Sequence, residues 1–140
     1  MPPVLVDTSV YVSAFRASNP STFNLTQKVP GAVVWLSAVV LEELYAGTTP
    51  TSLHLVEKLE RDFEGANRIL VPNLSDWVRA GRLLSRVASE CDFEEMGRAR
   101  LTNDALIAMS AGRVGFTVIT SNAKDFARLA KFRKFSWTLA

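Results

Sequence analysis

The chain is poor in the residues on which much small-protein chemistry rests. Its 140 residues include one cysteine, Cys91, and one histidine, His54. A single cysteine cannot close an internal disulfide, and one Cys with one His cannot build a zinc site of the usual spacing. His54 stands alone on an amphipathic stretch, a surface or boundary residue with no nucleophile–base pairing, and no Gly-x-Ser-x-Gly elbow occurs. Neither a P-loop nor a Gly-x-Gly-x-x-Gly turn is present among the 7 glycines. Long hydrophobic runs are missing too. The longest apolar stretch, Gly31 to Leu41, is interrupted by Ser37 and reaches about half the ~20 residues of a membrane helix. The first residues, Met-Pro-Pro-Val-Leu-Val-Asp, carry no basic region and meet Asp7 before a secretory core forms. The expectation is a cytoplasmic protein outside the membrane.

What is there describes a folded globular chain. Hydrophobic residues make up 48% and charged residues 21%, which excludes the low-hydrophobicity composition of a disordered segment. No repeat, Pro/Ser linker or composition break divides the sequence, so one domain over residues 1–140 is expected. Charge is unevenly spread. Residues 1–70 hold 5 Lys/Arg and 7 Asp/Glu, whereas 71–140 hold 11 and 7. A basic second half suits either a solvated surface or a phosphate-backbone partner.

Short β-branched runs alternate with amphipathic stretches. Val4–Val6, Val33–Leu36, Arg68–Val71 and Phe116–Ile119 read as strands, with a short edge strand in Phe135–Thr138. Continuous rather than alternating apolar residues are what a parallel sheet covered on both faces requires. Between them lie helical stripes: Val39, Val40 and Leu44, ending near Gly47; Leu53, Val56, Leu59 and Phe63; Trp77, Leu84 and Val87 with Val78, Leu83 and Cys91, after Ser75 as N-cap; and Leu101, Ala105 and Ala108 with Leu106, Ile107 and Met109. The segment Ser18–Val29 reads as loop or short helix. The fold class is α/β, a three-layer α/β/α sandwich around a mainly parallel sheet of four or five strands.

Ligands of such sheets bind beyond the carboxyl ends of the strands. Asp7 ends the first strand, Ser37 follows the second with Glu42 and Glu43 beyond it, Asp104 belongs to the helix before the fourth, and Asn122 follows the fourth. Each also has a local reading. Asp7 and the Thr102-Asn103-Asp104 run suit N-caps, Asn122 with Asp125 resembles a capping box, and the glutamates suit a solvated helix face. Taken together, however, three carboxylates at one edge repel one another and need a cation, and all-oxygen donors favour magnesium, with manganese as substitute. A receiver domain would place an acid after its third strand, where Val71-Pro72-Asn73 stands instead.

Four blocks in order, Val-Leu-Val-Asp-Thr-Ser, Leu-Ser-Ala-Val-Val-Leu-Glu-Glu-Leu-Tyr-Ala-Gly, Asn-Asp-Ala-Leu-Ile-Ala and Ile-Thr-Ser-Asn-Ala-Lys-Asp-Phe, resemble the PIN-domain family, and within it the VapC-like toxins of type II toxin–antitoxin pairs. The resemblance implies a magnesium-dependent endoribonuclease, a homodimer, with a small antitoxin as partner and RNA as substrate. It matches Asp7 to the first acid, Glu43 rather than Glu42 to the second and Asp104 to the third, as metal ligands. Asn122 falls on the fourth catalytic position, where many members carry Asp, and this weakens the case for a second metal ion. Thr8, Ser9, Ser37, Thr120 and Asp125 match supporting positions, and Arg98, Arg100 and Lys124 are candidates for the RNA backbone. Asn122 also leaves open a PIN-fold module that binds RNA or protein without cutting it.

Overall fold

Apolar runs too short for helices and too continuous for half-exposed strands form the centre of the molecule. The computed structural model describes residues 2–16, 31–90 and 95–140, with side chains from Leu101 onward in the last stretch. The strands are β1 (Val4–Val6), β2 (Val34–Ser37), β3 (Ile69–Leu70), β4 (Thr117–Thr120) and β5 (Trp137–Leu139), in the all-parallel order β3-β2-β1-β4-β5. The helices are α1 (Thr8–Phe15), α2 (Ala38–Ala46), α3 (Leu53–Gly65), α4 (Leu74–Glu90), α5 (Glu95–Val114) and α6 (Ala123–Phe132). This is the expected α/β architecture with the edge strand present. β2 and β4 sit one residue later than the apolar runs indicate, because Ser37 and Thr120 continue the backbone ladder although their side chains are polar.

Chain order fixes the layers. The steps from β1 to β2 and β2 to β3 run one way across the sheet, whereas β3 to β4 returns past both strands to the far side of β1. Right-handed crossovers then put α1, α2 and α3 on one face and α4, α5 and α6 on the other, in agreement with the contacts α1–α2, α2–α3, α4–α5, α4–α6 and α5–α6. β1 and β4 lie side by side, and the helices that follow them leave toward opposite faces. That divergence opens a crevice at their carboxyl ends.

The core follows from this layering. Leu5, Leu36, Val118 and Tyr11 are fully buried in or against the sheet. In α5, Leu101, Ala105, Leu106, Ile107, Ala108 and Met109 are all buried; the helix touches α4, α6, α2 and β4 at once, so apolar residues on every side have a neighbour. Gly115 ends it at φ 77°, a conformation that glycine adopts without steric cost.

Two helix readings need correction. α4 begins at Leu74, so Ser75 lies inside it, and the cap is Asn73. Its Oδ1 accepts from the Asp76 N–H at 2.9 Å, while Asp76 Oδ2 accepts from the Asn73 N–H at 3.0 Å. This is a reciprocal box that Ser75 has no partner to make. The apolar stripe of α4 is also narrower than expected. Ala80, Leu83 and Val87 are buried, but Trp77 and Val78 stay 55% and 45% exposed, on the side the sheet does not reach. Cys91 and the segment Ser18–Val29 lie outside the described residues, and His54 is exposed as expected.

Asp76 carries a second duty. Its carboxylate has no exposed surface, and Arg113 Nε at the end of α5 donates to both of its oxygens at 3.0 Å. The group thus caps α4 and ties it to α5. Replacing Asp76 by Ala removes both, leaving a half-exposed guanidinium without its partner. The Asp76→Ala variant is expected to lose about 2 kcal/mol of stability, read as a lower urea midpoint at unchanged slope.

Candidate active site

The crevice at the ends of β1 and β4 collects the polar residues that the sequence singles out. Asp7 follows β1 directly, and its N–H donates to Ile119 O at 2.8 Å, continuing the parallel ladder by one residue. The carboxylate is 3% exposed. It does not cap α1 although it occupies the N-cap position. Instead Oδ2 accepts two hydroxyls, Ser9 Oγ at 2.9 Å and Thr120 Oγ1 at 2.8 Å. Among the described residues no hydrogen bond falls on Oδ1. Ser9 Oγ in turn accepts from the Ser121 N–H at 3.1 Å, and Thr120 Oγ1 from the Asn122 N–H at 2.9 Å. Each hydroxyl therefore receives a backbone proton and donates its own to Asp7, which fixes the carboxylate rotamer from α1 and from the end of β4.

Glu43 approaches from α2. Ser37 Oγ caps that helix, accepting from the Val39 N–H at 3.1 Å, so Ser37 acts on the helix that carries the glutamate rather than on a carboxylate. Thr8 Oγ1 donates to Glu43 Oε1 at 2.8 Å, and the Asn103 side chain bonds the same carboxyl. Burial raises the Glu43 pKa above the ordinary glutamate range; the Thr8 and Asn103 hydrogen bonds oppose this, and the Asp7 and Glu42 charges add to it. Glu42, the preceding residue, is exposed, and the Thr8 hydrogen bond falls on Glu43.

Asp104 and Asn122 meet from the opposite layer. Asp104 is 4% exposed and lies well inside α5, nine residues after its start, so the Thr102-Asn103-Asp104 run is not a cap. Asn122 Nδ2 lies 3.5 Å from Asp104 Oδ2 and donates to Asp125 Oδ2 at 2.9 Å. The capping box is absent because the Asn122 side chain makes no cap bond and bridges two buried carboxylates instead. Lys124 is exposed one residue into α6. The Arg98 and Arg100 side chains lie outside the described residues.

Two residues escaped the sequence reading. Asn103 supports Glu43 from α5, its signal being no more than adjacency to Asp104. Arg16, at the end of α1, lines with Glu43 a cleft of about 370 Å³ that also includes Phe15, Thr48 and Ser52; its basic side chain beside an acid was not evident before the helices were placed.

The donor set is oxygen only, which fits a hard divalent cation. Among the described residues, no three Asp, Glu, His or Cys close into a ligand cage. The set accordingly fits an ion that retains several waters and touches one or two carboxylates, the usual habit of magnesium.

Comparison with known proteins agrees with this fold. By sequence, no curated protein matches the chain. Among solved structures, VapBC2 from Rickettsia felis bound to a promoter DNA fragment is similar with a TM-score of 0.65 at 17% identity, covering 98% of both chains. The DNA-bound VapBC of Salmonella typhimurium gives 0.65 at 18%, covering 99% of this chain and 98% of that one. VapBC-5, a VapBC-family toxin–antitoxin system from Mycobacterium tuberculosis, gives 0.56 at 22%, again over 99% and 98%. The PIN domain family matches residues 4–132, nearly the whole chain, and the protein belongs to that family.

Proposed function

We propose that the protein is a divalent-metal-dependent endoribonuclease, the cytoplasmic toxin of a toxin–antitoxin pair. The observation that carries this reading is that Asp7, linked through Thr120 and Asn122 to Asp104, and Glu43, held by Thr8 from the residue next to Asp7, all stand at the crevice between β1 and β4, two of the three nearly buried. Buried like charges are costly unless a cation or a proton offsets them. A structural role would be served by neutral residues. The membership in the PIN domain family and the likeness to chains of VapBC complexes support the same reading.

In the mechanism, Asp7 and Asp104 would hold the ion, with Glu43 beside them. Bound there, magnesium, or manganese in its place, would supply neutralisation of phosphate charge and a more acidic water. The chain does the rest. Ser9 and Thr120 keep Asp7 in one rotamer, and Thr8 and Asn103 do so for Glu43. Glu43, with its raised proton affinity, orders the attacking water and accepts its proton. The Asn122 amide steadies Asp104 and Asp125 without adding charge, which suits one firmly held ion rather than two. RNA enters with its backbone against basic side chains such as Lys124.

An antitoxin and a second copy of the chain, in a homodimer, are the proposed partners. Val71, Leu74, Trp77 and Val78 are exposed together where β3 passes into α4, apolar surface of the kind a protein partner covers. No helix among the described residues is long and apolar enough to cross a membrane.

A second reading, a PIN-fold module that binds RNA or protein without cleaving it, draws on Asn122 and on the open carboxylate arrangement. Calorimetric titration with magnesium separates the two, because only the enzyme needs the ion.

The deciding experiment is cleavage of total RNA by purified protein in magnesium and in chelator. Asp7→Asn and Asp104→Asn are each expected to lose at least ~10²-fold in rate with the melting transition intact; undiminished cutting by either overturns the assignment. Glu43 gives an independent check on the crowding of charge. Its folded pKa is raised, so the folded state binds more protons than the unfolded one just above the ordinary glutamate range, and stability falls as pH rises through that window. In chelator, Glu43→Gln is therefore expected to melt above the wild type at neutral pH, with the gap closing on acidification. A lower melting point at neutral pH contradicts it.

A further inference from the structure

Away from the crevice, the densest charge lies toward the other ends of α4 and α6. Arg79, Arg82 and Arg86 follow one another at i, i+3 and i+7 along α4 and so share one face. Arg133 comes immediately after α6, and Phe132 lies between. The Arg86 guanidinium carbon lies 5.7 Å from the Phe132 ring centre, and Nη1 donates to Phe132 O at 3.1 Å. With Leu83 these residues enclose a cavity of about 140 Å³ whose lining contains no acid. None of the four arginines forms an ion pair among the described residues.

Four permanently charged guanidiniums around one small cavity repel one another. Pairing with an anion would relieve that repulsion, and their planar forks match phosphate oxygens two at a time. Two further observations favour a nucleic-acid strand over an acidic peptide. Lys124, Arg128 and Lys131 recur at i, i+4 and i+7 on α6, giving a basic line from beside Asn122 to the cavity. The span from Asn122 to Phe132 is about 15 Å at 1.5 Å per residue, a reach of a few nucleotides along an RNA strand. The cavity also pairs cations with an aromatic ring, Lys131 Nζ lying 5.7 Å from the same ring as Arg86, and such a surface accepts both phosphates and a stacked base.

We propose that the cavity of Arg79, Arg82, Arg86 and Arg133 is a phosphodiester-binding subsite that grips the RNA strand flanking the cleaved bond, with the basic face of α6 leading to it from the active-site crevice. The subsite accounts for affinity contributed by RNA that never reaches the carboxylates. It deepens the ribonuclease reading and rests on it for the identity of the strand.

The test is fluorescence anisotropy of labelled dodecauridylate with the full chain in chelator, so that binding is read without cleavage. The triple variant Arg82→Gln/Arg86→Gln/Arg133→Gln is expected to bind about 30-fold more weakly, and its slope of log affinity against log salt to fall by about 2, at ~0.7 per phosphate lost. The corresponding triple Lys variant is expected to keep the slope. Unchanged affinity and slope in the Gln variant overturn the proposal. So does a wild type that fails to bind dodecauridylate at low salt, or one from which polyglutamate of equal charge displaces it more readily than unlabelled dodecauridylate does. A protein that binds RNA through these arginines yet cuts none leaves the subsite standing while the nuclease reading fails.

Discussion

The parallel pairing of β1 with β4 is the constraint from which the rest of the structure follows. It aligns Val4, Leu5 and Val6 with Thr117, Val118 and Ile119 and continues through the Asp7 N–H to Ile119 O. Two strands from opposite ends of the chain thereby finish at the same level. Because the helices after them depart to opposite faces, the side chains placed beyond the two strand ends meet each other there. A shift of β4 by one residue would turn Thr120 to the other face of the sheet and take its hydroxyl from Asp7.

Within that space, the carboxylates are held by hydroxyls and amides. Asp7 has Ser9 and Thr120, Glu43 has Thr8 and Asn103, and Asp104 has Asn122 close by. The hydroxyls that bond Asp7 and Glu43 are neutral, so they orient these two acids without discharging them. The contrast with Asp76 is instructive. That carboxylate is also buried, but Arg113 answers its charge and Asn73 completes its bonds, and its role is to join two helices. One chain thus contains both a structural acid answered by an arginine and, at Asp7 and Glu43, acids held by neutral hydroxyls.

Much of this was legible in the sequence because apolar runs and polar stops are local signals. Val4–Val6 ended at Asp7 as read, and the four blocks that resemble the PIN-domain family fall at the strand ends and on α2 and α5. The reading failed where a neighbour in space decided the outcome. Ser75 is as good a cap as Asn73 in isolation; Asp76, reaching back to the Asn73 N–H, settles the choice. Asp125 looked like a capping partner because the sequence shows its spacing and not the buried Asp104 beside the same amide. Trp77 belonged to an apolar stripe by periodicity, but periodicity does not say how far the sheet extends beneath it. The arginine cavity needs residues from α4 and from the end of α6, 46 positions apart at the Arg86–Phe132 contact, so no window of sequence contains it.

The hydroxyl of Thr120 lies 113 residues from the carboxylate it holds, in a chain of 140. On the ribosome, β1 emerges early but waits for β4, and only when nearly the whole chain has left the exit tunnel can the two strands pair. The long separation acts as a timer. A nascent fragment contains Asp7, Glu43 and even Asp104 without the strand whose Thr120 holds Asp7, so the crevice takes its shape last.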